Sequence, residues 1–266
     1  MVILSLGAGV QSSTLALMAA RGEVGPMPDA AIFADTGGES KRVYEWVDWL
    51  EKQLPFPIIR VKRDGLSLGD LWLAVARGER DRSGSPLPGF WLSPAGMSPF
   101  QCSKEFKTRV VGREIRRMLG LETGQRGPKK IVVEQWLGIS SEEIERMKDN
   151  EMKFVQNRWP LIEMKMRRHH CLKWMADNGY PEPPRSSCIF CPFRTDEEWR
   201  LLRDQQPEDW EKAVQFDEGI RAGWPGIEGA AWIHRTRQPL STVDIERKPD
   251  LFDFGFRQEC EGACGV

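Results

Sequence analysis

Over residues 1–61 the chain alternates short apolar runs of strand length with amphipathic stretches of helix length, and this alternation most restricts what it can fold into. Val2-Ile3-Leu4-Ser5 reads as a buried strand, and residues 12–21 read as a helix with Leu15, Leu17 and Met18 as packing positions. Ala30-Ala31-Ile32-Phe33-Ala34 is a second strand ending at Asp35. Val43, Trp46, Val47 and Leu50 recur at helical spacing, and Pro57-Ile58-Ile59-Arg60-Val61 is a third strand. Such a pattern predicts an α/β fold, a parallel twisted sheet flanked by helices. Right-handed crossovers then bring the ends of the first two strands to one edge of the sheet. With 266 residues and a 40% hydrophobic fraction, the chain can build one generous α/β domain or one domain with an appendage.

Beyond the third strand the signals are weaker. Residues 77–101 are rich in Gly, Ser, Pro and charge and read as a long surface loop, either an active-site lid or a plain connection. Residues 104–119 form a basic helix and 131–137 a strand. Ser140-Ser141-Glu142-Glu143 opens a short helix by capping. Residues 167–178 make a helix stopped by Gly179 and Pro181; residues 195–221 are polar and helical, and the chain from Gly223 onward is irregular. The expected division is an α/β part over residues 1–165 and a helical, cysteine-bearing part over residues 166–266. No run of about 18 apolar residues occurs, so a membrane partner is not expected. The first residues read as strand and turn rather than a signal peptide, which suggests a cytoplasmic protein.

Between the first strand and helix lies Gly7-Ala8-Gly9-Val10-Gln11-Ser12-Ser13. Small residues let backbone N–H groups approach an anion, the helix start adds free donors, and the two serines add hydroxyls. No Gly-Lys-Ser/Thr follows, so this is not a Walker loop. The segment resembles the PP-loop of the adenine nucleotide alpha-hydrolase superfamily, with Gly7 and Gln11 standing where that family usually has Ser and Asp. Further segments resemble its phosphoadenosine phosphosulfate (PAPS) reductase branch in the same order: Asp35-Thr36-Gly37-Gly38-Glu39, then Cys102-Ser103-Lys104-Glu105-Phe106-Lys107, then Gly138-Ile139-Ser140-Ser141-Glu142-Glu143 with Arg146, then Cys188-Ile189-Phe190-Cys191-Pro192. The resemblance spans roughly residues 1–200 and implies a Rossmann-like fold. It implies that ATP or a sulfonucleotide, with Mg²⁺, is held by Ser5, Gly7, Ala8, Gly9, Val10, Gln11, Ser12 and Ser13, by Asp35, Thr36, Gly37 and Glu39, and by Gly138 and Arg146. Lys107 would contact phosphate or sulfate as a point charge.

Six cysteines in such a chain suggest ligands or redox groups rather than structural disulfides. Cys188 and Cys191 can reach one metal centre. The resemblance joins Cys102 to them at a [4Fe–4S] cluster, with Cys171, Cys260 or Cys264 as a fourth ligand or one iron left open; zinc is the alternative. Cys171 reads equally as a core residue. Near the C-terminus, Glu259-Cys260 resembles the mobile Glu-Cys-Gly of PAPS reductases, and Cys260 with Cys264 can act as nucleophile, disulfide or persulfide carrier.

Arg109, Arg113, Arg116 and Arg117 share much of one helical face, either solvated or a track for a nucleic-acid backbone. The resemblance implies ATP-dependent sulfur transfer through an adenylated intermediate, with a sulfur donor protein and a nucleic-acid acceptor as partners. PAPS or adenylyl-sulfate reduction, and nucleotide sensing without catalysis, are the alternatives.

Overall fold

The computed structural model describes residues 1–246 apart from positions 64, 66, 84, 87, 88, 94, 95 and 99. Its framework follows from the opening alternation. Strand β1 (Val2–Leu6) leads into helix α1 (Val10–Ala20), β2 (Ala30–Asp35), α2 (Lys41–Gln53), β3 (Ile58–Lys62) and α3 (Leu68–Ala76). Two short strands follow, β4 (Trp91–Ser93) and β5 (Gly96–Met97). A π-helical turn over Lys104–Thr108 then runs into α4 (Arg109–Met118). The chain returns through β6 (Val133–Leu137), a 3₁₀ turn at Ile144–Arg146, β7 (Val155–Arg158), α5 (Pro160–Glu163) and α6 (Arg168–Asp177). It ends in α7 (Asp196–Gln205), α8 (Pro207–Gly219) and β8 (Ala230–Trp232).

Five strands form one parallel sheet in the order β3-β2-β1-β6-β7, with Ser5 opposite Ile32 on one side and Leu137 on the other. Strand residues alternate between two apolar clusters, as period-2 geometry requires. Leu4, Leu6, Ala31, Phe33 and Trp136 face α1, α2, α5 and α6, while Ile3, Ile32, Ala34 and Val133 face Val111 and Ile115 of α4. Helix α1 is buried from Val10 to Ala19, covered by the sheet and α6, so even its serines and threonine are interior. The order of strands reverses between β1 and β6: β2 and β3 lie on one side of β1, β6 and β7 on the other. In open parallel sheets the crevice at such a reversal, outside the carboxyl ends of the strands, is where ligands bind.

A third apolar cluster lies off the sheet. It joins Leu68, Leu71, Trp72 and Val75 to Phe90, Leu92 and Phe106, and these to Ile189, Phe190, Trp199, Phe216 and Ile233. The cluster draws on residues from both sides of position 165, and α6 belongs instead to the cluster around α1.

Several local features differ from expectation. Among the described residues, segment 77–101 is tied down rather than loose. Trp91 pairs with Trp232 in the small antiparallel sheet β5-β4-β8, the Trp72 indole donates to the Pro86 carbonyl at 3.1 Å, and Arg82 donates to the Pro225 carbonyl at 2.7 Å. Residues 140–146 form only one 3₁₀ turn, because Glu143 points inward to Arg146 and Gln11 instead of capping a helix. The helical stretch 195–221 is broken at Gln206, where Pro207 starts α8. Strand β7 is polar and went unseen in the sequence.

Candidate functional site

At the switch point lies a cavity of about 400 Å³. Its floor comes from the carboxyl ends of four strands: Ser5 and Leu6 of β1 with Gly7 just after it, Phe33 and Ala34 of β2, Leu137 of β6 and Asn157 of β7. One wall is the π-helical turn and α4, which contribute Lys104, Lys107, Arg109, Arg113 and Arg116. The opposite wall, residues 146–152, adds Arg146 and Lys148 together with Asp149 and Glu151. Cations thus outnumber carboxylates around the cavity, although the whole chain carries a net charge of −1. A concave site lined mostly by one sign of charge focuses its field and draws in ions of the opposite sign.

The π-helical turn shapes this wall. The Arg109 N–H bonds to the Lys104 carbonyl, five residues back. The consecutive residues Phe106 and Lys107 are both buried. Lys107 lines the cavity and sits 3.4 Å from a carboxylate oxygen of Glu39, whose side chain is fully buried. Lys104 reaches across the mouth to Glu151 at 3.1 Å. Arg117 turns away from the cavity, bonding Glu114 through two nitrogens at 2.9 and 2.6 Å. The basic helical face is therefore divided: Arg109, Arg113 and Arg116 line the cavity and Arg117 does not.

The expected nucleotide-holding residues fall into three groups. Ser5, Gly7 and Arg146 line the cavity. Ala8 and residues 10–13 are buried and do not line it. Ala8 adopts a left-handed conformation, φ 60°, at the bend into α1. Gly9 precedes the helix, and α1 has neither a side-chain cap nor an acidic residue in its first turn. Ser13 accepts a hydrogen bond from the Trp46 indole at 2.8 Å. The Gln11 amide donates to Glu143 and its oxygen accepts from Arg168, both at 3.1 Å. Glu143 also accepts from Arg146 at 2.5 Å. Gly138 follows β6 next to Leu137 of the cavity floor.

The third group, Asp35, Thr36, Gly37 and Glu39, lies beyond the cavity wall. Asp35 accepts from the Gly37 N–H at 2.7 Å and the Tyr44 hydroxyl at 2.8 Å, with Lys62 at 3.4 Å. Burial and this carboxylate hold the Tyr44 phenol well above its ordinary pKa. Gly37 has φ +68°, and a Cβ there would meet Ser67 Cβ at 2.8 Å. Gly38 and Gly69 leave a slot for Phe190, since Cβ atoms on them would lie 2.7 and 2.9 Å from its ring. Phe190 in turn stacks on Phe216 with centroids 4.2 Å apart. The Cys188–Cys191 turn is thereby docked on the loop after β2: Cys188 pairs with Glu39 as a β-bridge, and Ile189 N–H donates to the Gly38 carbonyl at 2.7 Å.

Cys188 Sγ lies 3.4 Å from Thr36 Oγ1. Burial pushes its thiol well above the ordinary range, and the Glu39 charge adds to this. The Cys188 and Ser187 carbonyls accept from the buried Arg194. Thr195 and Glu198 then cap α7 reciprocally, with bonds of 2.8 and 3.3 Å. Cys102 packs against the same cluster as Cys188, whereas Cys171 is fully buried in the other core, between α1 and α6. Among the described residues no group of three or more His, Cys, Asp or Glu side chains is placed to hold a metal ion. Cys260 and Cys264 lie outside the described residues.

The fold and site together define a parallel α/β protein with a cationic cavity at its topological switch point. No protein-family model matches the chain, and no curated protein matches it. Among solved structures it is similar to the phosphoadenylyl-sulfate (PAPS) reductase of Candida auris, a phosphate complex, with 13% identity and a TM-score of 0.43 over 68% of this chain and 74% of that one. No helix among the described residues is long and apolar enough to cross a membrane.

Proposed function

We propose that this chain is an enzyme that binds an adenine nucleotide, ATP or an adenylated sulfur compound, in the switch-point cavity and uses it for sulfur transfer. The observation that carries this reading is Lys107, a buried ammonium that lines the cavity between the strand ends and Glu39. Arg109, Arg113, Arg146 and Lys148 surround the same space. Phosphate groups would supply the counter-charge that such a wall favours.

In the transfer reaction, an acceptor oxygen attacks the α-phosphorus of ATP. The α–β bond breaks and pyrophosphate leaves with its electrons. A persulfide, carried by this chain or by a donor protein, then displaces AMP and leaves the acceptor joined through S–S to the carrier cysteine; a second thiol attacks that cysteine's sulfur, releasing the thiolated acceptor and a disulfide that an external thiol reduces. Lys107 and Arg146 would stabilise the charge developing on the leaving group, and Mg²⁺ would supply further charge neutralisation when bound. A nucleic-acid acceptor suits the exposed Arg109 and Arg113 at the cavity wall. A [4Fe–4S] or zinc centre would draw on Cys102, Cys188 and Cys191, with a fourth ligand from elsewhere. The described residues do not by themselves assemble such a site. Cys260 and Cys264 are the candidate carriers of sulfur.

A second reading, a nucleotide sensor, draws support from Gln11: its amide is engaged by Glu143 and Arg168, and the loop carries no carboxylate of its own. Incubation with Mg²⁺-ATP and tRNA or DNA acceptors, followed by assay of pyrophosphate, separates the two. Pyrophosphate release that depends on acceptor supports transfer. Tight binding without turnover supports the sensor, sulfite release from PAPS with a thiol donor replaces transfer by reduction, and absence of any nucleotide binding overturns all three.

A further inference from the structure

Resting on the nucleotide reading of the cavity, we infer that Glu143 is a positioning residue: held by the Gln11 amide, it fixes the Arg146 guanidinium in the cavity wall. The three residues come from separate parts of the chain. Gln11 is in the first turn of α1, Glu143 precedes the 3₁₀ turn, and Arg146 ends it. Their burial is nearly complete, with relative exposures of 3% for Gln11 and 5% for Glu143 and Arg146. One Glu143 oxygen accepts from Arg146 Nη1 at 2.5 Å, and the other accepts from Gln11 Nε2 at 3.1 Å and from Ser140 Oγ at 3.5 Å. The Gln11 oxygen accepts from Arg168 Nη1, at the start of α6.

The geometry gives Gln11 a reason to be an amide. Its position calls for a donor toward Glu143 and an acceptor toward Arg168 at once, and a neutral amide supplies both. A carboxylate there would face the Glu143 carboxylate across about 3 Å, which like charges disfavour. Arg146 has a long, flexible side chain. A charge-assisted bond to a fixed carboxylate restricts it to one direction before any ligand arrives, and such preorganisation raises affinity by lowering the ordering cost.

The role is separable from a general contribution to folding by a double-mutant cycle. Mg²⁺-ATP binding is measured by calorimetry for the full chain and for Glu143→Gln, Arg146→Gln and the double variant, each checked for an unchanged thermal transition type. Glu143→Gln keeps the shape and removes the charge. It is expected to weaken ATP binding about 5- to 10-fold in the otherwise wild-type chain and to have no further effect once Arg146 is gone. Gln11→Met is expected to weaken binding less, and likewise only while Arg146 is present. Equal effects of Glu143→Gln in both backgrounds would overturn the inference. So would unchanged or tighter binding by the single variant, which would make Glu143 a neutraliser of charge rather than a guide. If Glu143→Gln fails to fold, Gln11→Met with and without Arg146→Gln completes the same cycle. A wild-type chain that binds no ATP overturns the nucleotide reading itself, an outcome distinct from additive variants of a chain that binds.

Discussion

The loops that follow β1 and β2 end neighbouring strands, and both are made of small and polar residues, but they face different neighbours. The end of β1 and its loop give Ser5 and Gly7 to the cavity, and the first turn of α1 sends its polar side chains inward, to Trp46, Glu143 and Arg168. The loop after β2 contributes nothing to the cavity lining; its Gly38 leaves room for Phe190 and its Glu39 receives Cys188. Lys107 shares the cavity lining with Ser5 and Gly7 and sits 3.4 Å from Glu39 of the second loop. Similar composition therefore serves an anion site in one case and a docking platform for a cysteine turn in the other. The neighbouring elements, not the loop residues alone, decide which.

Removing the joint between the two loops should have the largest effect. Lys107→Met deletes the ammonium 3.4 Å from the buried Glu39 and is expected to cost about 3–5 kcal/mol of stability by chemical denaturation. Adding Glu39→Gln should recover much of that stability without recovering ATP affinity, which calorimetry would show. Recovery of both would mean that Lys107 serves the platform only.

Next is Gly38→Ala, whose Cβ would meet the Phe190 ring at 2.7 Å. A loss of about 1–3 kcal/mol is expected, and Phe190→Leu in the same chain should relieve part of it. Nucleotide affinity should change little, because this loop faces away from the cavity; a large loss of affinity would erase the contrast. Arg113→Gln tests the other side. It should weaken ATP binding about threefold at low salt and scarcely at all in 1 M salt, where screening lengths fall to about 3 Å, with no change in the thermal midpoint.

The smallest effect concerns Tyr44. Burial, then its bond to Asp35, raises its folded pKa, so the folded state keeps a proton that the unfolded chain loses near pH 10. The resulting stability is complete below about pH 10 and declines as pH rises past it. Only two tyrosines are present. An absorbance titration should therefore show the Tyr44 phenol ionising only with unfolding. Tyr44→Phe should flatten the alkaline decline.

Much of this was readable in advance. Apolar runs at Val2-Ile3-Leu4 and Ala30-Ala31-Ile32-Phe33 are long enough to identify buried parallel strands, but the switch point itself depends on β6 returning to the far side of β1, which no local pattern shows. Strand β7 was hidden because Gln156, Asn157 and Arg158 at the sheet edge need no apolar pattern. The basic helical face was visible, but whether its cations met solvent or a cavity depends on residues 146–152, far away in sequence. Cys171 could not be sorted by spacing: it sits on the inner face of α6, a matter of helix orientation. The partnership of Gln11 with Glu143 spans 132 positions and leaves no local signature.

The π-helical turn at Lys104–Thr108 has a consequence for how this wall can vary. A turn of that kind holds one residue more than an α-helical turn, and each residue advances a helix by about 100°. The segment carries Lys104 and Lys107 and fixes the phase at which Arg109, Arg113 and Arg116 follow them. Deleting Thr108, which lies between the two sets, would rotate one relative to the other by about 100°. The charge gathered around this cavity is set by residue count as firmly as by residue type.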